Sequence, residues 1–347
     1  MSFIDRFLPT ASDIAMDLGT ANTVLYVRGQ GIVLAEPSVV ALQKVGGIDR
    51  VLAVGDDAKL MMGKTPEDIR AVRPLRNGVI SDLEVAEQMI KHFIGKVRGK
   101  NSRFLSSPEI IICVPSDSTM VERRAIRDAA SNAGARKVWL IDESLAAAMG
   151  ADIPVTEPLG TMVVDIGGGS TEVGVIATGG LHLATSVRTG GDQMDEAIVG
   201  HIRRHHNMVI GESTAERIKH EYGSARVPSD EESETFVVKG RDLVRGVPDE
   251  IEISTQEIAE ALTESVAQIV EVVRNALENI APEIAADIVE TGIVMTGGGS
   301  LLADIDVVIA EATGLPVTIA QDPLNCVALG AGRALEDRSY QGVLHPV

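Results

Sequence analysis

The chain has 347 residues, long enough for two cores, and its 45% hydrophobic and 23% charged content is ordinary for a folded globular protein. Fifty acidic against 31 basic residues give a formal net charge of −19, which excludes a general nucleic-acid binder with a basic face and restricts any contact with an anionic membrane to local apolar elements. No stretch approaches the ~20 apolar residues of a transmembrane helix. The N-terminus lacks a long apolar signal region, so the expected compartment is the cytosol. Aromatic residues are only 3%, which predicts an aliphatic core. Cys113 and Cys326 fall in apolar runs and are expected as buried free thiols.

In chain order, Phe3, Ile4, Phe7 and Leu8 share one face of a short predicted helix, with Asp5 and Arg6 turned away. Three strand-like runs follow, Asp13 to Leu18, Thr23 to Arg28 and Ile32 to Leu42, with hairpin punctuation at Arg28-Gly29-Gln30-Gly31. Gln43 to Arg76 reads as an irregular insert. Phe104-Leu105 sits in a polar loop, Lys100 to Ser107. Glu109 to Pro115 is a buried-strand run. Ser118 to Ala133 has helical spacing (Val121, Ile126, Ala129, Ala130) and is stopped by Gly134. Lys137 to Ile141 is a strand and Glu143 to Met149 a helix.

The pattern then recurs. Val163-Val164-Asp165-Ile166-Gly167-Gly168-Gly169 repeats the sense of Ile14-Ala15-Met16-Asp17-Leu18-Gly19-Thr20, at a separation of 165 − 17 = 148 residues. The runs Thr161 to Ile166, Thr171 to Ala177 and Leu181 to Arg188 match the first three strands. Ile198 to Pro248 reads as a second, polar insert whose acidic run Asp230-Glu231-Glu232 is a solvated loop. Thr255 to Ile280 is a long amphipathic helix. Ile293 to Thr296 is a strand, Leu301 to Thr313 a helix, Val317 to Ala320 a strand and Asn325 to Leu335 a terminal helix. Hairpins followed by βαβ units imply a largely parallel sheet covered by helices in each half, an α/β fold built twice.

The two Asp-x-Gly turns carry the chemistry. Consecutive turn N–H groups form an anion-binding concavity, and a carboxylate beside it suits hydrated Mg²⁺. Gly19, Thr20, Ala21 and Asn22 in one turn, and Gly167, Gly168, Gly169, Ser170 and Thr171 in the other, are candidate phosphate-binding residues. Asp17 and Asp165 are candidates for Mg²⁺, through its water shell. Two such turns could hold one phosphate chain between two half-molecules. Gly297-Gly298-Gly299 follows a strand and precedes a helix, and would accept an anion or let a flat base lie on the backbone; a tight strand–helix connection needs only one glycine. Glu143 stands where a parallel strand gives way to a helix. It either activates a water against a γ-phosphate or lies in the first turn of a helix capped by Asp142. Glu216 and Lys219 share a face of the helical run Thr214 to Tyr222, as ribose or base contacts or as a surface ion pair.

Other enzyme signals fail. Gly63-Lys64-Thr65 lacks the upstream glycine of a P-loop, with Ala58 in its place. Gly167-Gly168-Gly169 does not complete G-x-G-x-x-G, because Glu172 stands at the last position. His205-His206, beside Arg203-Arg204, point about 100° apart on a helix and read as surface rather than metal ligands. The apolar tips, Phe3, Ile4, Phe7 and Leu8 together with Phe104-Leu105, either dock on the protein's own surface or enter a membrane. Each buried side chain is worth roughly 1.5–3 kcal/mol, enough to anchor an array rather than a single molecule.

These motifs resemble the actin-like ATPase superfamily and, within it, the MreB family of bacterial actin homologues. The resemblance is carried by Asp17-Leu18-Gly19-Thr20-Ala21-Asn22-Thr23, Glu36-Pro37-Ser38-Val39-Val40-Ala41, Gly190-Gly191-Asp192, Ala215-Glu216-Arg217-Ile218-Lys219 and Thr296-Gly297-Gly298-Gly299, and it runs from about Asp13 to Glu336. It implies a duplicated actin-like (ribonuclease H-like) fold with two domains around a nucleotide cleft, each with a smaller insert subdomain. The implied subdomains are 1–34 with 79–148 and 325–347; 35–78; 149–193 with 254–324; and 194–253. It further implies ATP or ADP with Mg²⁺, slow hydrolysis coupled to polymerisation, and paired antiparallel filaments on the inner membrane surface that guide lateral cell-wall synthesis with the cell-wall elongation machinery.

By the same resemblance Glu143 activates the attacking water, assisted by the Ser170 hydroxyl. Gly190, Gly191, Asp192, Glu216, Arg217 and Lys219 line the ribose and adenine, with Gly297, Gly298, Gly299 and Ser300. Phe3, Ile4, Phe7, Leu8, Phe104 and Leu105 insert in the membrane, and Val121 and Arg124 lie at the contact between protofilaments. Two positions depart from the family pattern. Ser170 replaces the usual threonine but keeps the hydroxyl. Ser144 replaces the usual proline after the glutamate, which leaves the helix start less fixed. A small-molecule kinase or phosphatase of the same fold is the alternative; it requires a second-substrate cluster, and the sequence offers no candidate. A heat-shock chaperone ATPase requires a peptide-binding domain, whereas 347 − 330 = 17 residues follow Gly330.

Overall fold

The computed structural model describes residues 13–98 and 107–346. The expected membrane residues Phe3, Ile4, Phe7, Leu8, Phe104 and Leu105 lie outside these. The chain forms two compact units, one of residues up to Gly150 together with Val327 onward, the other Ala151–Cys326.

Unit one opens with β1 (Ile14–Leu18), β2 (Asn22–Val27) and β3 (Gly31–Pro37). It continues with α1 (Leu83–Arg98), β4 (Glu109–Val114), α2 (Met120–Asn132), β5 (Lys137–Asp142) and α3 (Glu143–Gly150). The sheet order is β5-β4-β1-β2-β3, extended beyond β5 by a short C-terminal strand, His345–Pro346. β1, β4 and β5 run parallel, while β2 and β3 are antiparallel hairpin strands. β4 is apolar along Ile110, Ile111, Ile112, Cys113 and Val114 because a parallel strand covered on both faces has no solvent side. α1 turns Met89, Ile90, Phe93 and Ile94 into this core, a helical stripe. α2 starts at a capping box, the Glu122 N–H donating to the Thr119 hydroxyl (3.3 Å) and the Thr119 N–H to the Glu122 carboxylate (2.7 Å).

The single strand expected over Ile32 to Leu42 is two strands. Pro37 ends β3, and the chain leaves the first sheet to form a separate three-stranded antiparallel sheet from Val40–Val45, Ile48–Val54 and Ile69–Val72. Ser38 fixes the break. Its N–H donates to the Ala21 carbonyl (2.9 Å) and its hydroxyl to the Gly19 carbonyl (2.6 Å). The insert expected from Gln43 therefore starts at Val40.

Unit two repeats the plan with β6 (Thr161–Ile166), β7 (Thr171–Ala177), β8 (Gly180–Val187), α4 (Gly191–His206), α5 (Glu212–Tyr222) and α6 (Thr255–Glu278), then β9 (Ile293–Thr296), α7 (Ile305–Thr313) and β10 (Val317–Ile319). Its sheet order is β8-β7-β6-β9-β10, with β7 antiparallel to both β6 and β8, and β9 and β10 parallel to β6. A three-stranded insert sheet is built from Met208–Val209, Thr235–Asp242 and Pro248–Ser254.

Two expectations are corrected here. The stretch expected as irregular from Ile198 opens in regular helix. α4 runs unbroken to His206 and buries Met194, Ile198 and Ile202 in the unit-two core. The helix expected over Leu301 to Thr313 begins only at Ile305, because Asp304 takes a left-handed conformation (φ 61°), which aspartate tolerates better than most residues. Cys113 and Cys326 are buried free thiols. The acidic run sits in an exposed turn, where the Glu232 carboxylate accepts from the Ser229 hydroxyl (2.8 Å) and N–H (3.2 Å).

Candidate nucleotide site

The internal repeat is a repeat of strand register. In unit one, Asp17 pairs with Val24 and Leu18 with Thr23; in unit two, Asp165 pairs with Glu172 and Ile166 with Thr171. Each pair is offset by the same 148 positions. Gly19-Thr20-Ala21-Asn22 and Gly167-Gly168-Gly169-Ser170 are thus equivalent four-residue loops, each following a strand-end aspartate.

Hydrogen bonds set which way the loop peptides face. In the first loop the carbonyls of Gly19 and Ala21 accept from the Ser38 hydroxyl and N–H. In the second the carbonyls of Gly167 and Gly168 accept from the N–H groups of Gly191 (3.0 Å) and Asp192 (2.8 Å). In a trans peptide the N–H of the next residue points opposite to the carbonyl. Thr20 and Asn22, and Gly168 and Gly169, therefore turn their N–H groups away from the supporting elements, as an anion-binding turn requires. The Thr20 hydroxyl instead accepts from the Gly78 N–H (3.0 Å), and the Thr171 hydroxyl donates to the Thr189 carbonyl (2.7 Å). These two side chains support their loops.

The donor set fits a nucleotide with Mg²⁺. Asp165 is buried at the end of β6, and the Thr296 hydroxyl donates to its Oδ1 (2.7 Å) from the neighbouring strand. Burial pushes its carboxyl above the usual range, with the Thr296 hydrogen bond pulling the other way. Asp17 is half-buried at the matching point. Among the described residues no three His, Cys, Asp or Glu side chains converge to hold a metal ion by themselves. Mg²⁺ held by one or two carboxylates plus phosphate oxygens needs no such cluster.

Gly190, Gly191 and Asp192 form the start of α4 directly behind the second loop. A Cβ on Gly190 would lie 2.5 Å from the Gly167 carbonyl oxygen, so only glycine fits there. Lys219 reaches this point from α5. Its ammonium lies 2.9 Å from Asp195 Oδ1 and donates to the Gly191 carbonyl (2.8 Å), with the side chain 12% exposed. It is no surface ion pair. Arg217, two positions away, faces solvent and pairs with Glu221 (2.8 Å), and Glu216 is half-buried.

The glycine triplet divides by role. Gly297 needs its positive φ (79°), and a Cβ there would run into the Ile166 carbonyl. A Cβ on Gly299 would run into the Ile166 side chain. Both are explained by packing. Gly298 is exposed, and a Cβ there would meet only the Leu324 side chain, at 3.0 Å. The Ser300 hydroxyl closes the turn by donating to the Gly297 carbonyl (2.6 Å).

In unit one, Glu143 is the first residue of α3 and half-buried. Asp142 is committed elsewhere, to Arg123 (2.7 Å) and to His345 (3.1 Å). Ser144 is fully buried, its hydroxyl 3.2 Å from that of Ser116, so the helix start is tied down rather than loose.

The MreB/Mbl protein family model matches residues 11–342. The chain belongs to the MreB/Mbl family. It is 54% identical over 328 residues to the cell shape-determining protein MreB of Escherichia coli K12, covering 94% of each chain, and 46% identical to the cell shape-determining protein Mbl of Bacillus subtilis, covering 94% of this chain and 96% of that one. It superposes on the crystal structure of MreB5 of Spiroplasma citri bound to AMPPNP with a TM-score of 0.87 at 36% identity, over 96% of this chain and 98% of that one. A MamK double helical filament shares the fold (TM-score 0.78, 23% identity, 94% and 99% covered). The expected actin-like fold is thereby established.

On this MreB/Mbl scaffold Val121 and Arg124 share the outer face of α2, 79% and 75% exposed, with Arg124 Nε 3.6 Å from Asp128. His205 stacks on His201 (ring centroids 4.3 Å) within α4 and is exposed, as a surface position should be, whereas His206 Nε2 lies 2.7 Å from Glu257 Oε1 and ties α4 to α6. Sequence reasoning missed Asp195 and the Thr296 hydroxyl. Asp195 could have been found as a carboxylate three and seven positions before Ile198 and Ile202, on the apolar stripe of a helix.

Proposed function

We propose that this chain is an ATP-dependent cytoskeletal protein that assembles into paired antiparallel filaments on the inner face of the cell membrane and organises lateral peptidoglycan synthesis. The observation that carries this reading is the repeated aspartate–loop register, with loop N–H groups turned outward in both copies. The names of the relatives support it: two are cell shape-determining proteins, MreB5 was solved bound to AMPPNP and to ADP, and MamK forms a double helical filament. In this reading Gly19 to Asn22 and Gly167 to Thr171 hold the phosphates, and Asp17 and Asp165 hold Mg²⁺ through water. Gly190, Gly191, Asp192, Glu216, Arg217 and Lys219 surround the ribose and base, and Gly298 gives the base a bare backbone to lie on. Mg²⁺, when bound, neutralises charge on the phosphate oxygens. Glu143 orients and deprotonates the attacking water, and the Ser170 hydroxyl helps position it.

Assembly is assigned to other surfaces. Val121 and Arg124 contact the paired protofilament. Phe3, Ile4, Phe7, Leu8, Phe104 and Leu105 enter the lipid, and no described helix is long and apolar enough to cross a membrane. The cell-wall elongation machinery is the partner of the membrane-bound filament. The test is incubation with Mg·ATP and liposomes, followed by sedimentation and electron microscopy. Paired filaments on lipid are expected. A protein that stays monomeric while phosphorylating a small molecule overturns the reading.

A further inference from the structure

Glu143 is bracketed by two residues that are both tied to the same stretch of chain. Before it, Asp142 ends β5 with both carboxylate oxygens engaged: Arg123 Nη2 donates to Oδ1 (2.7 Å) and His345 Nε2 lies 3.1 Å from Oδ2. After it, the Ser144 hydroxyl meets that of Ser116 (3.2 Å). Arg123 in turn donates to the carbonyls of Ser118 (3.3 Å) and Ser116 (3.5 Å). Asp142 and Arg123 are largely enclosed, with side chains 13% and 18% exposed, where a charge-assisted pair is stronger and shorter than in water. His345 is delivered by the C-terminal strand, whose ladder pairs it with Leu140 of β5. It lies beyond residue 342, where the family match ends.

We propose that Arg123 and His345 grip Asp142 as positioning residues for Glu143, so that the C-terminal strand sets the geometry of the hydrolytic step. Glu143 is covalently joined to Asp142, and the direction of its Cα–Cβ bond follows the hand-over from β5 to α3. Freeing either carboxylate oxygen lets that junction rotate, and misplacement by about 1 Å costs on the order of a hundredfold in rate. Ser144 contributes from the other side: its hydroxyl supplies a tie that a proline at this position could not.

The inference rests on Glu143 acting on the attacking water, and its test separates the two ideas. Asp142→Asn, Arg123→Ala, His345→Ala and His345→Gln are compared with wild type by single-turnover ATP hydrolysis, by titration with a fluorescent ATP analogue, and by amide hydrogen exchange of residues 143–147 without nucleotide. Asp142→Asn and Arg123→Ala are expected to slow hydrolysis by about tenfold or more, and His345→Ala by about threefold, with analogue affinity held within about twofold. His345→Gln keeps a side-chain N–H and is expected to recover most of the rate. Exchange at 143–147 should accelerate in the three slow variants and return in His345→Gln. Wild-type rates and wild-type exchange in Asp142→Asn and His345→Ala overturn the positioning claim. A parallel loss of analogue affinity overturns it too, because that is the mark of general unfolding. Absence of hydrolysis by wild type, with faster exchange in the variants, keeps the grip on Asp142 and removes the catalytic reading of Glu143.

Discussion

Lys219 holds its ammonium 2.9 Å from the Asp195 carboxylate, and the same ammonium donates to the Gly191 carbonyl at the start of α4. A cation proposed to face the nucleotide is therefore oriented from within the protein by a buried carboxylate. Burial pushes the Asp195 carboxyl up to about 6, Lys219 pulls it down, and the nearby carboxylates of Glu216 and Asp192 push it up further. The carboxylate is charged above that pH and neutral below it, so the ion pair is present at neutral pH and lost as pH falls through 6. Affinity for an ATP analogue is expected to drop between pH 7.5 and 5.5 in wild type. Asp195→Asn should show the low affinity at both ends. A pH-independent wild-type affinity would contradict the assignment.

Glu143→Ala should leave ATP binding intact and slow phosphate release by about a hundredfold or more, the usual contribution of a general base. Phosphate release in single-turnover mixing, with the analogue titration as control, reads both. Unchanged hydrolysis refutes the role.

The glycine triplet offers a contrast within one turn. Gly297→Ala forces a Cβ into the Ile166 carbonyl at a positive φ and is expected to cost about 1–3 kcal/mol of stability, read as a lowered Tm. Gly298→Ala meets only a movable Leu324 side chain and should change stability by about 0.5 kcal/mol or less while weakening nucleotide binding. If Gly298→Ala binds ATP as wild type does, the base does not lie on this backbone.

Deleting residues 1–9 together with Phe104→Ser should abolish flotation with liposomes and leave sedimentable filaments in solution. Retained flotation would move the anchor elsewhere on the surface.

Much of this was legible in the sequence, for identifiable reasons. β1, β4, β5, β6 and β9 are continuous apolar runs because both faces of the parallel sheets are covered, and the two Asp-x-Gly turns announce themselves by spacing. The break at Pro37-Ser38 was not legible, because the apolar run resumes directly after it at Val39-Val40-Ala41-Leu42. What ends β3 is the pair of Ser38 hydrogen bonds to a loop nineteen and seventeen residues earlier. α4 reads as half insert because its outer face is polar, although its inner face packs in the core. Asp195 was hidden by the same helix. A buried carboxylate makes sense only once Lys219, twenty-four residues on, is folded against it.

The central claim is that ATP on the paired aspartate loops controls assembly. High-speed sedimentation of the purified chain with anionic liposomes, with Mg·ATP, with Mg·ADP and without nucleotide, tests it most directly. The expected result is pelleted paired filaments with Mg·ATP and far fewer in the other two conditions. Equal polymer in all three, or none in any, would contradict it.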